Sequence, residues 1–263
     1  MATATPPTTF STRRLSVNGV EVAMLTAGSG DALLFLHGAA TSSGFDFALG
    51  WADRLRVLIP YHPGFGESAD DPRVREMHDY VLHYLELLDQ LGLARVNLVG
   101  HSIGGWLAAR FAIEHGHRVR RLVLCCPAGL RVPEHPTLDL FSVPPEQLAA
   151  RLIANQDLLQ RRSSQPPSID AVVGQYREQT SLARVMWERN YDLTLERWLH
   201  RASMPSLLLW GQLDRVVPVE QAEVWARRLP DTRVEVLPGA GHLPFHEAPR
   251  AVQAVREFLA RPD

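Results

Sequence analysis

The residues best suited to do chemistry lie in one short segment, 97–106, which reads NLVGHSIGGW. Ser102 stands between Gly100 and Gly104 in a G-x-S-x-G pattern, with an apolar strand predicted before it and a helix after it. The chain has to turn sharply at such a serine, and glycine at both flanking positions removes side chains that would collide there. We therefore predict that Ser102 is a nucleophile, with the backbone N–H of Ile103 stabilising an oxyanion at the start of the helix.

A serine hydroxyl is a weak nucleophile at neutral pH and needs a neighbouring base. The chain has 11 histidines, and His242 is the best candidate because it lies on a glycine-rich loop just after the last predicted strand. His246 is an alternative on spacing alone, but it lies nearer the final predicted helix. We predict that His242 is the general base.

The base in turn needs a carboxylate that fixes its tautomer and stabilises its protonated form. Asp214 ends the segment 207–214, which opens with the apolar run 207–210, and so lies at the carboxyl end of a predicted strand. It also lies between Ser102 and His242 in the chain, which is the order Ser, Asp, His that this kind of site shows. Asp214 is therefore predicted to orient His242.

A second oxyanion donor is expected in the loop after the predicted strand 32–36. Gly38 lets the backbone turn inward there, so that the N–H of Ala39 can face a carbonyl oxygen. His37 is predicted to brace this loop rather than to transfer protons. The residues predicted to support the loop and the turn at Ser102 are His37, Gly38, Gly100, His101 and Gly104.

The elements that must position these residues alternate between strand and helix. The pattern predicts strands at 56–60, 95–99, 119–126, 206–210 and 232–237, and helices at 74–91, 104–114, 219–229 and 249–260. Near the start, Asn18-Gly19 between alternating segments predicts an antiparallel hairpin. The fold class is therefore α/β, a mostly parallel twisted sheet with helices on both faces.

This alternation stops between 128 and 203, where the sequence predicts no strand. It predicts a helix with a capped start at 142–146 that runs through 153, and helical pieces at 182–190 and 194–200. We read this stretch as a helical insertion, with the core formed by 13–127 and 204–263 and a flexible segment at 1–12. Apolar residues of the insertion are predicted to form a pocket wall: Leu138, Leu140, Phe141, Val172, Val173 and Trp187. Its arginines are predicted to form a solvated face, although one facing the pocket would indicate an acidic substrate: Arg151, Arg161, Arg162, Arg177, Arg184 and Arg189.

Composition excludes several classes of partner. A net charge of −2 gives no reason to expect nucleic acid or an anionic membrane. The sequence shows no secretory signal and no apolar run long enough to span a bilayer, which predicts a cytoplasmic protein.

Cys125 and Cys126 are predicted to be reduced core residues. No metal spacing is found, and the G-x-G-x-x-A pattern at 64–69 lacks the helix start that a dinucleotide site requires.

Five segments, in this order, resemble the α/β-hydrolase superfamily in its lidded, cofactor-free bacterial branch. They are the strand with its HG loop at 32–38, PGFGES, GHSIGG, WGQLDRVVP and GAGHLPFHEAP. The resemblance implies that Ser102, Asp214 and His242 form a triad and that Ala39 and Ile103 supply the oxyanion hole. It also implies that 128–203 is a lid over the substrate pocket, and that no cofactor takes part.

At several motif positions this chain differs from particular branches of the family, and these differences reduce the number of reactions to be expected. A serine at 102 speaks against haloalkane dehalogenases and epoxide hydrolases, which use aspartate. Carbon–carbon bond hydrolases usually have Asn before the serine, more glycine after the HG pair and Trp after the histidine, whereas this chain has His101, Ala39-Ala40 and Leu243. We therefore expect hydrolysis of a small-molecule ester or lactone. Carbon–carbon hydrolysis of a ring-cleavage diketone acid, a cofactor-free perhydrolase and a ligand receptor remain alternatives, and the oligomeric state stays open.

Overall fold

A computed structural model describes residues 7–163 and 168–261. Its centre is an eight-stranded sheet in the order β1-β2-β4-β3-β5-β6-β7-β8. The strands are β1 (Ser11–Val17), β2 (Val20–Ala27), β3 (Asp31–Leu36), β4 (Leu55–Pro60), β5 (Val96–His101), β6 (Val119–Cys125), β7 (Ser206–Gly211) and β8 (Thr232–Leu237). β2 is antiparallel to β1 and to β4, and every pairing from β4 to β8 is parallel.

The sheet begins with the predicted hairpin. Asn18 and Gly19 both have positive φ, 50° and 81°, which is the conformation of a two-residue type I′ turn. Val17 pairs with Val20 on either side of that turn, so the hairpin prediction is confirmed. β1 starts at Ser11, two residues before the predicted core boundary, and residues 1–6 of the predicted flexible segment lie outside the described residues.

The central strands are covered on both faces. Every residue of β5 and of β7 is buried, although alternate side chains of a strand point to opposite faces. The core helices are α1 (Met77–Gln90), α2 (Ile103–Glu114), α7 (Gln221–Arg228), α8 (Pro244–Glu247) and α9 (Pro249–Leu259). α1 packs on α2, whereas α9 packs on a 3-10 turn at Phe45–Trp51. The predicted α/β architecture with its mostly parallel sheet is confirmed.

The first helix begins later than the sequence predicted, at Met77 instead of residue 74. The carboxylate of Asp79 accepts hydrogen bonds from the backbone N–H groups of Arg75 and Glu76, 2.8 and 3.0 Å away, and this cap fixes the start. The segment 64–69 is a turn with no helix directly behind it, which agrees with the rejection of a dinucleotide site.

Residues 128–203, predicted to be an insertion, lie between β6 and β7, and the α-helices there are α3 (Pro145–Leu152), α4 (Gln156–Ser163), α5 (Ile169–Met186) and α6 (Leu195–Trp198). The prediction of a helix at 182–190 was wrong at both ends. Ser168 caps α5 by accepting a hydrogen bond from the N–H of Ala171, so the helix starts much earlier. Exposed apolar residues such as Val173 and Tyr176 had obscured its periodicity.

Over residues 7–163 and 168–261, no helix combines the length and apolar character that a membrane crossing requires. Cys125 and Cys126 are both buried and carry free thiols, as the apolar run around them predicted.

Candidate active site

Ser102 occupies a strained turn between β5 and α2. Its φ of 56° and ψ of −118° are rarely adopted by a residue with a side chain. The turn is held by backbone hydrogen bonds: the N–H of Ser102 donates to the carbonyl of Cys125 at 3.0 Å, and its own carbonyl accepts from Gly105 and Trp106. The strain is therefore fixed by the surrounding backbone and holds Ser102 where the strand ends.

The glycines around Ser102 are required by close backbone approach. A Cβ atom on Gly100 would lie 2.3 Å from the carbonyl oxygen of Gly104. One on Gly104 would lie 2.1 Å from the carbonyl oxygen of Leu36, at the end of β3. The start of α2 thus rests directly on the neighbouring strand, which brings the turn at Ser102 close to the loop after β3.

Ser102, His242 and Asp214 are brought together from three separate loops. The Oγ of Ser102 lies 2.9 Å from Nε2 of His242, and Nδ1 of His242 lies 2.8 Å from Oδ2 of Asp214. All three residues are buried, and Ser102 is only 4% exposed. This chain of contacts is the arrangement in which a histidine can accept a proton from a serine.

Asp214 is oriented by its own loop after β7. Its Oδ1 accepts hydrogen bonds from the N–H groups of Val216 and Val217, at 2.8 and 2.9 Å, which leaves Oδ2 for His242. Burial raises the pKa of Asp214, but His242 and these hydrogen bonds outweigh burial and lower it. Asp214 therefore stays ionised beside the histidine.

The same pair sets the basicity of His242. Burial is the largest single effect and acts to lower the pKa of His242, yet the Asp214 carboxylate and its hydrogen bond raise that pKa overall. A histidine with a raised pKa is a stronger base toward the hydroxyl of Ser102.

The backbone near Ser102 offers two hydrogen-bond donors. Ala39, in the loop after β3, and Ile103, at the start of α2, are both buried, and within the described residues neither N–H donates a hydrogen bond inside the protein. A Cβ atom on Gly38 would lie 3.0 Å from the Cβ of Ser102, so this loop passes directly beside the serine. Of the two predicted oxyanion donors, Ala39 thus belongs to a loop that adjoins Ser102, and Ile103 follows Ser102 directly in the chain.

Two neighbouring histidines, His37 and His62, brace that loop. Nδ1 of His37 lies 2.9 Å from the carbonyl of Gly38, and Nε2 of His37 accepts from the N–H of His62. His62 donates back to the carbonyl of His37 and contacts the hydroxyl of Tyr84. Burial lowers the pKa of His37 to about 4, so it is neutral at neutral pH. These contacts support the loop, which is the role predicted for His37.

His101 and His246 differ from His242 in what they contact. Nε2 of His101 donates to the backbone carbonyl of His242 at 2.7 Å, and burial lowers the pKa of His101 to about 3. The ring of His246 packs against Phe47 at 5.2 Å between centroids, while His242 holds the contact to Ser102. His101 therefore supports the histidine loop, and the structure favours His242 over His246 as base.

Sequence reasoning missed two residues at this site. Cys126 has a φ of 44°, and its sulfur lies within 4.8 Å of a nitrogen of His242 and an oxygen of Asp214. Glu247 accepts hydrogen bonds from the backbone on both sides of His242. Cys126 could have been found from its position at the carboxyl end of a predicted strand, whereas no local pattern marked Glu247.

Two cavities bordered by the insertion bear on the predicted pocket wall. A small inner cavity of about 30 Å³ lies against Ala39 and Ala40 and is otherwise lined by Phe65, Leu140, Phe141, Leu148, Gln175, Glu178, Gln179 and Leu182. An open outer cleft of about 630 Å³ lies between α2 and the end of α5. The inner cavity adjoins the predicted oxyanion loop, so it is the candidate acyl pocket.

The predicted pocket wall is only partly correct. Leu140 and Phe141 line the inner cavity. Val173 is exposed, and Trp187 is 72% exposed and borders the outer cleft, so the expectation was wrong for these two. The residues of α5 that line the inner cavity are Gln175, Glu178, Gln179 and Leu182.

The insertion's arginines do not enter the inner cavity, as far as the described residues show. Arg184 and Arg189 border the outer cleft, and Arg184 pairs with Asp70. Arg177 donates to the carbonyl of Gly66. The charged residue that does line the inner cavity is an acid, Glu178.

Comparison with known proteins identifies the family to which this chain belongs. A family model described as the alpha/beta hydrolase fold matches residues 31–249. An uncharacterized protein of Mycobacterium tuberculosis is 29% identical over 93% of this chain and 80% of its own length. The 2-hydroxy-6-oxo-2,4-heptadienoate hydrolase of Pseudomonas putida is 27% identical over 95% of this chain and 97% of its own. The crystal structure of a bacterial membrane phospholipase A superposes with a TM-score of 0.75 at 26% identity, over 95% of this chain and 86% of the other.

Proposed function

Because this chain belongs to the α/β-hydrolase family, we propose that it hydrolyses a carboxylic ester or lactone through an acyl-enzyme on Ser102. The observation that carries the proposal is the continuous contact from Ser102 Oγ to His242 Nε2 and from His242 Nδ1 to Asp214 Oδ2. The buried position of all three side chains shields this contact from water.

In the first half-reaction Oγ of Ser102 attacks the ester carbonyl, and its proton passes to Nε2 of His242. The negative charge that forms on the carbonyl oxygen is stabilised by the N–H groups of Ala39 and Ile103. When the tetrahedral intermediate collapses, the C–O bond to the alcohol breaks, and His242 returns the proton to the departing oxygen. The products are the acyl-enzyme and an alcohol.

In the second half-reaction a water molecule takes the place of the alcohol. His242 accepts one proton from that water, whose oxygen attacks the acyl carbon. The second tetrahedral intermediate expels Ser102 Oγ, which regains its proton from His242. A carboxylic acid is released and the enzyme is restored.

The insertion at 128–203 acts in this proposal as a lid. An inner cavity of about 30 Å³ is far below the roughly 300 Å³ or more that a bound small molecule needs. Leu140, Phe141 and Leu182 of the insertion form part of its wall. Substrate entry therefore requires these residues to move away from the loop at Ala39.

A charged residue on the wall of the inner cavity also indicates which substrate charge is favoured. Glu178 faces the cavity and accepts hydrogen bonds from the hydroxyl of Ser42 at 2.5 Å and the N–H of Gly66 at 3.1 Å. A carboxylate in a confined site repels another carboxylate, so an acyl group with a free acid is disfavoured. We assign the substrate to neutral esters with a largely apolar acyl group.

The second candidate is a carbon–carbon bond hydrolase. It is favoured by the relative from Pseudomonas putida, a heptadienoate hydrolase that matches nearly the whole chain. Such a substrate carries a carboxylate, and Glu178 on the wall of the inner cavity speaks against it.

Initial rates on p-nitrophenyl esters of graded acyl length test the proposal, with Ser102→Ala measured beside the parent protein. We expect a dependence on chain length and a fall of about 10⁴-fold or more in the variant. Equal activity in Ser102→Ala would overturn the assignment of the nucleophile. Bleaching of a coloured dienoic ring-cleavage acid, with no ester turnover, would establish the second candidate instead.

A further inference from the structure

Glu247, the last residue of α8, connects the insertion to the loop that carries His242. Its Oε2 accepts hydrogen bonds from the N–H groups of Ala154 and Asn155, both at 2.8 Å, between α3 and α4. Its Oε1 accepts from the N–H groups of Gly241 and Leu243, at 3.1 and 3.3 Å. One half-buried carboxylate thus binds the residues on both sides of His242 and the insertion at the same time.

A second contact joins the same two segments. The N–H of His242 itself donates to the carbonyl of Leu152 at 2.9 Å, at the end of α3. A Cβ atom on Gly241 would lie 2.8 Å from the backbone nitrogen of Ala154, so the two backbones touch without room for a side chain. Residues 152–155 and 241–243 therefore form one hydrogen-bonded unit.

Other contacts join the insertion to the core at different places, including the hydrogen bond from the N–H of Leu138 to the carbonyl of Val216 beside Asp214. Arg184 pairs with Asp70, and Glu178 binds Ser42 and Gly66, so α5 is attached to the loops after β3 and β4. These contacts can break while 241–243 stays in place. Displacement of 152–155, in contrast, removes hydrogen bonds from His242 and both of its neighbours.

We propose that Glu247 is a positioning residue for His242, which aligns the base only while residues 152–155 of the insertion are docked. This inference rests on the proposed function, in which His242 is the general base. Two parts of the insertion then behave differently. α5 moves to open the pocket, whereas residues 152–155 between α3 and α4 stay bound to the His242 loop during turnover. A carboxylate suits this position because it accepts all four N–H groups, whereas a glutamine side chain has one oxygen and one amide that cannot accept.

His242 is surrounded by other groups that influence it. Asp214 contacts Nδ1 and raises its pKa, Ser102 contacts Nε2, His101 donates to its carbonyl, and the sulfur of Cys126 lies within 4.8 Å of a ring nitrogen. Glu247 acts on the backbone and leaves each of these contacts chemically unchanged. Loss of Glu247 therefore affects catalysis through the alignment of His242 with Asp214.

The test compares Glu247→Gln with Asp70→Asn, which weakens a tie between α5 and the core. We expect Glu247→Gln to lower kcat about tenfold to hundredfold per titrated active site, with little change in KM. We also expect its acid limb of kcat/KM to move to lower pH, because a loosened contact to Asp214 no longer raises the pKa of His242. Asp70→Asn is expected to keep the parent kcat and pH limb. Counting sites by the p-nitrophenol burst removes any loss due to unfolded protein.

A measurement without turnover separates this inference from the proposed function. The proton between His242 Nδ1 and Asp214 should give a low-field NMR signal that broadens in Glu247→Gln and persists in Asp70→Asn. If Glu247→Gln does not fold, Glu247→Asp provides the same measurements with a shorter side chain that cannot reach both segments. A parent-like signal, kcat and pH limb in the Glu247 variant would overturn the inference, and so would equal changes in Asp70→Asn. Activity that survives in Ser102→Ala would overturn the proposed function instead.

Discussion

The carboxyl edge of the sheet and the insertion are built in different ways. At the edge, backbone contacts decide the geometry: Ser102 is held by main-chain hydrogen bonds, and Gly100 and Gly104 lie against neighbouring carbonyls. In the insertion, α5 is attached by side chains and leaves large apolar residues such as Val173 exposed. We therefore expect substitutions at the edge to cost more stability than substitutions on the exposed face of α5. In the proposed function, the reaction takes place at the edge and the insertion selects the substrate.

The largest expected effect comes from Asp214→Asn at the edge. An amide in this place donates to Nδ1 of His242, so Nε2 keeps its proton and cannot accept one from Ser102, and kcat should fall about 10⁴-fold. The residual activity should show its acid limb at lower pH. The sign follows because Asp214 raises the pKa of His242 and burial, which remains, lowers it.

The check is the pH profile of kcat/KM on one chromogenic ester, with the exposed Asp157→Asn on α4 as the matched control. A profile that keeps its position in Asp214→Asn would show that another group orients the histidine.

Gly104→Ala should have the next largest effect. This substitution tests whether backbone contacts determine the geometry of the edge. The added Cβ would lie 2.1 Å from the carbonyl oxygen of Leu36 and 2.5 Å from that of His37. Neither is a flexible side chain, so β3 and the loop at Ala39 must shift. We expect a loss of about 1–3 kcal/mol in the free energy of unfolding, together with at least a hundredfold lower kcat. Urea unfolding and ester turnover measure the two effects.

Glu178→Gln tests whether a residue of the insertion selects the charge of the substrate. The substitution removes the negative charge from the inner cavity but keeps an oxygen that can accept from Ser42 or Gly66. Hydrolysis of an ester whose acyl group ends in a carboxylate should rise about tenfold in kcat/KM relative to the neutral ester of equal length. An unchanged ratio of the two rates would mean that Glu178 does not determine substrate charge.

The smallest effect is expected for Gly174→Ala, the counterpart in α5 of Gly104→Ala. A Cβ atom on Gly174 would meet no atom within 4 Å. Alanine lowers the entropy of the unfolded chain and favours the helix, so the free energy of unfolding should rise by about 0.5–1 kcal/mol with kcat unchanged. A destabilised variant, in urea unfolding, would show that α5 packs as tightly as the edge.

Much of the fold was predictable because local spacing determines it. The hairpin at Asn18-Gly19, the alternation of strands and helices, and the sharp turn at Ser102 all follow from residues a few positions apart. Errors were concentrated in α5, where exposed apolar residues blur the helical period. Helix ends also shifted where a side chain capped them, as Ser168 does.

By itself the sequence determined which residue types lie at strand ends, and so named Ser102, Asp214 and His242 as candidates. Only the tertiary structure decided what else reaches them. Glu247 meets Ala154 across 93 residues, and Glu178 meets Ser42 across 136. Such contacts depend on the order of strands in the sheet and on how the insertion folds back over it. No pattern of neighbouring residues encodes them. The residues next to a glutamate in the sequence do not show whether its carboxylate will accept four backbone N–H groups or will be solvated by water.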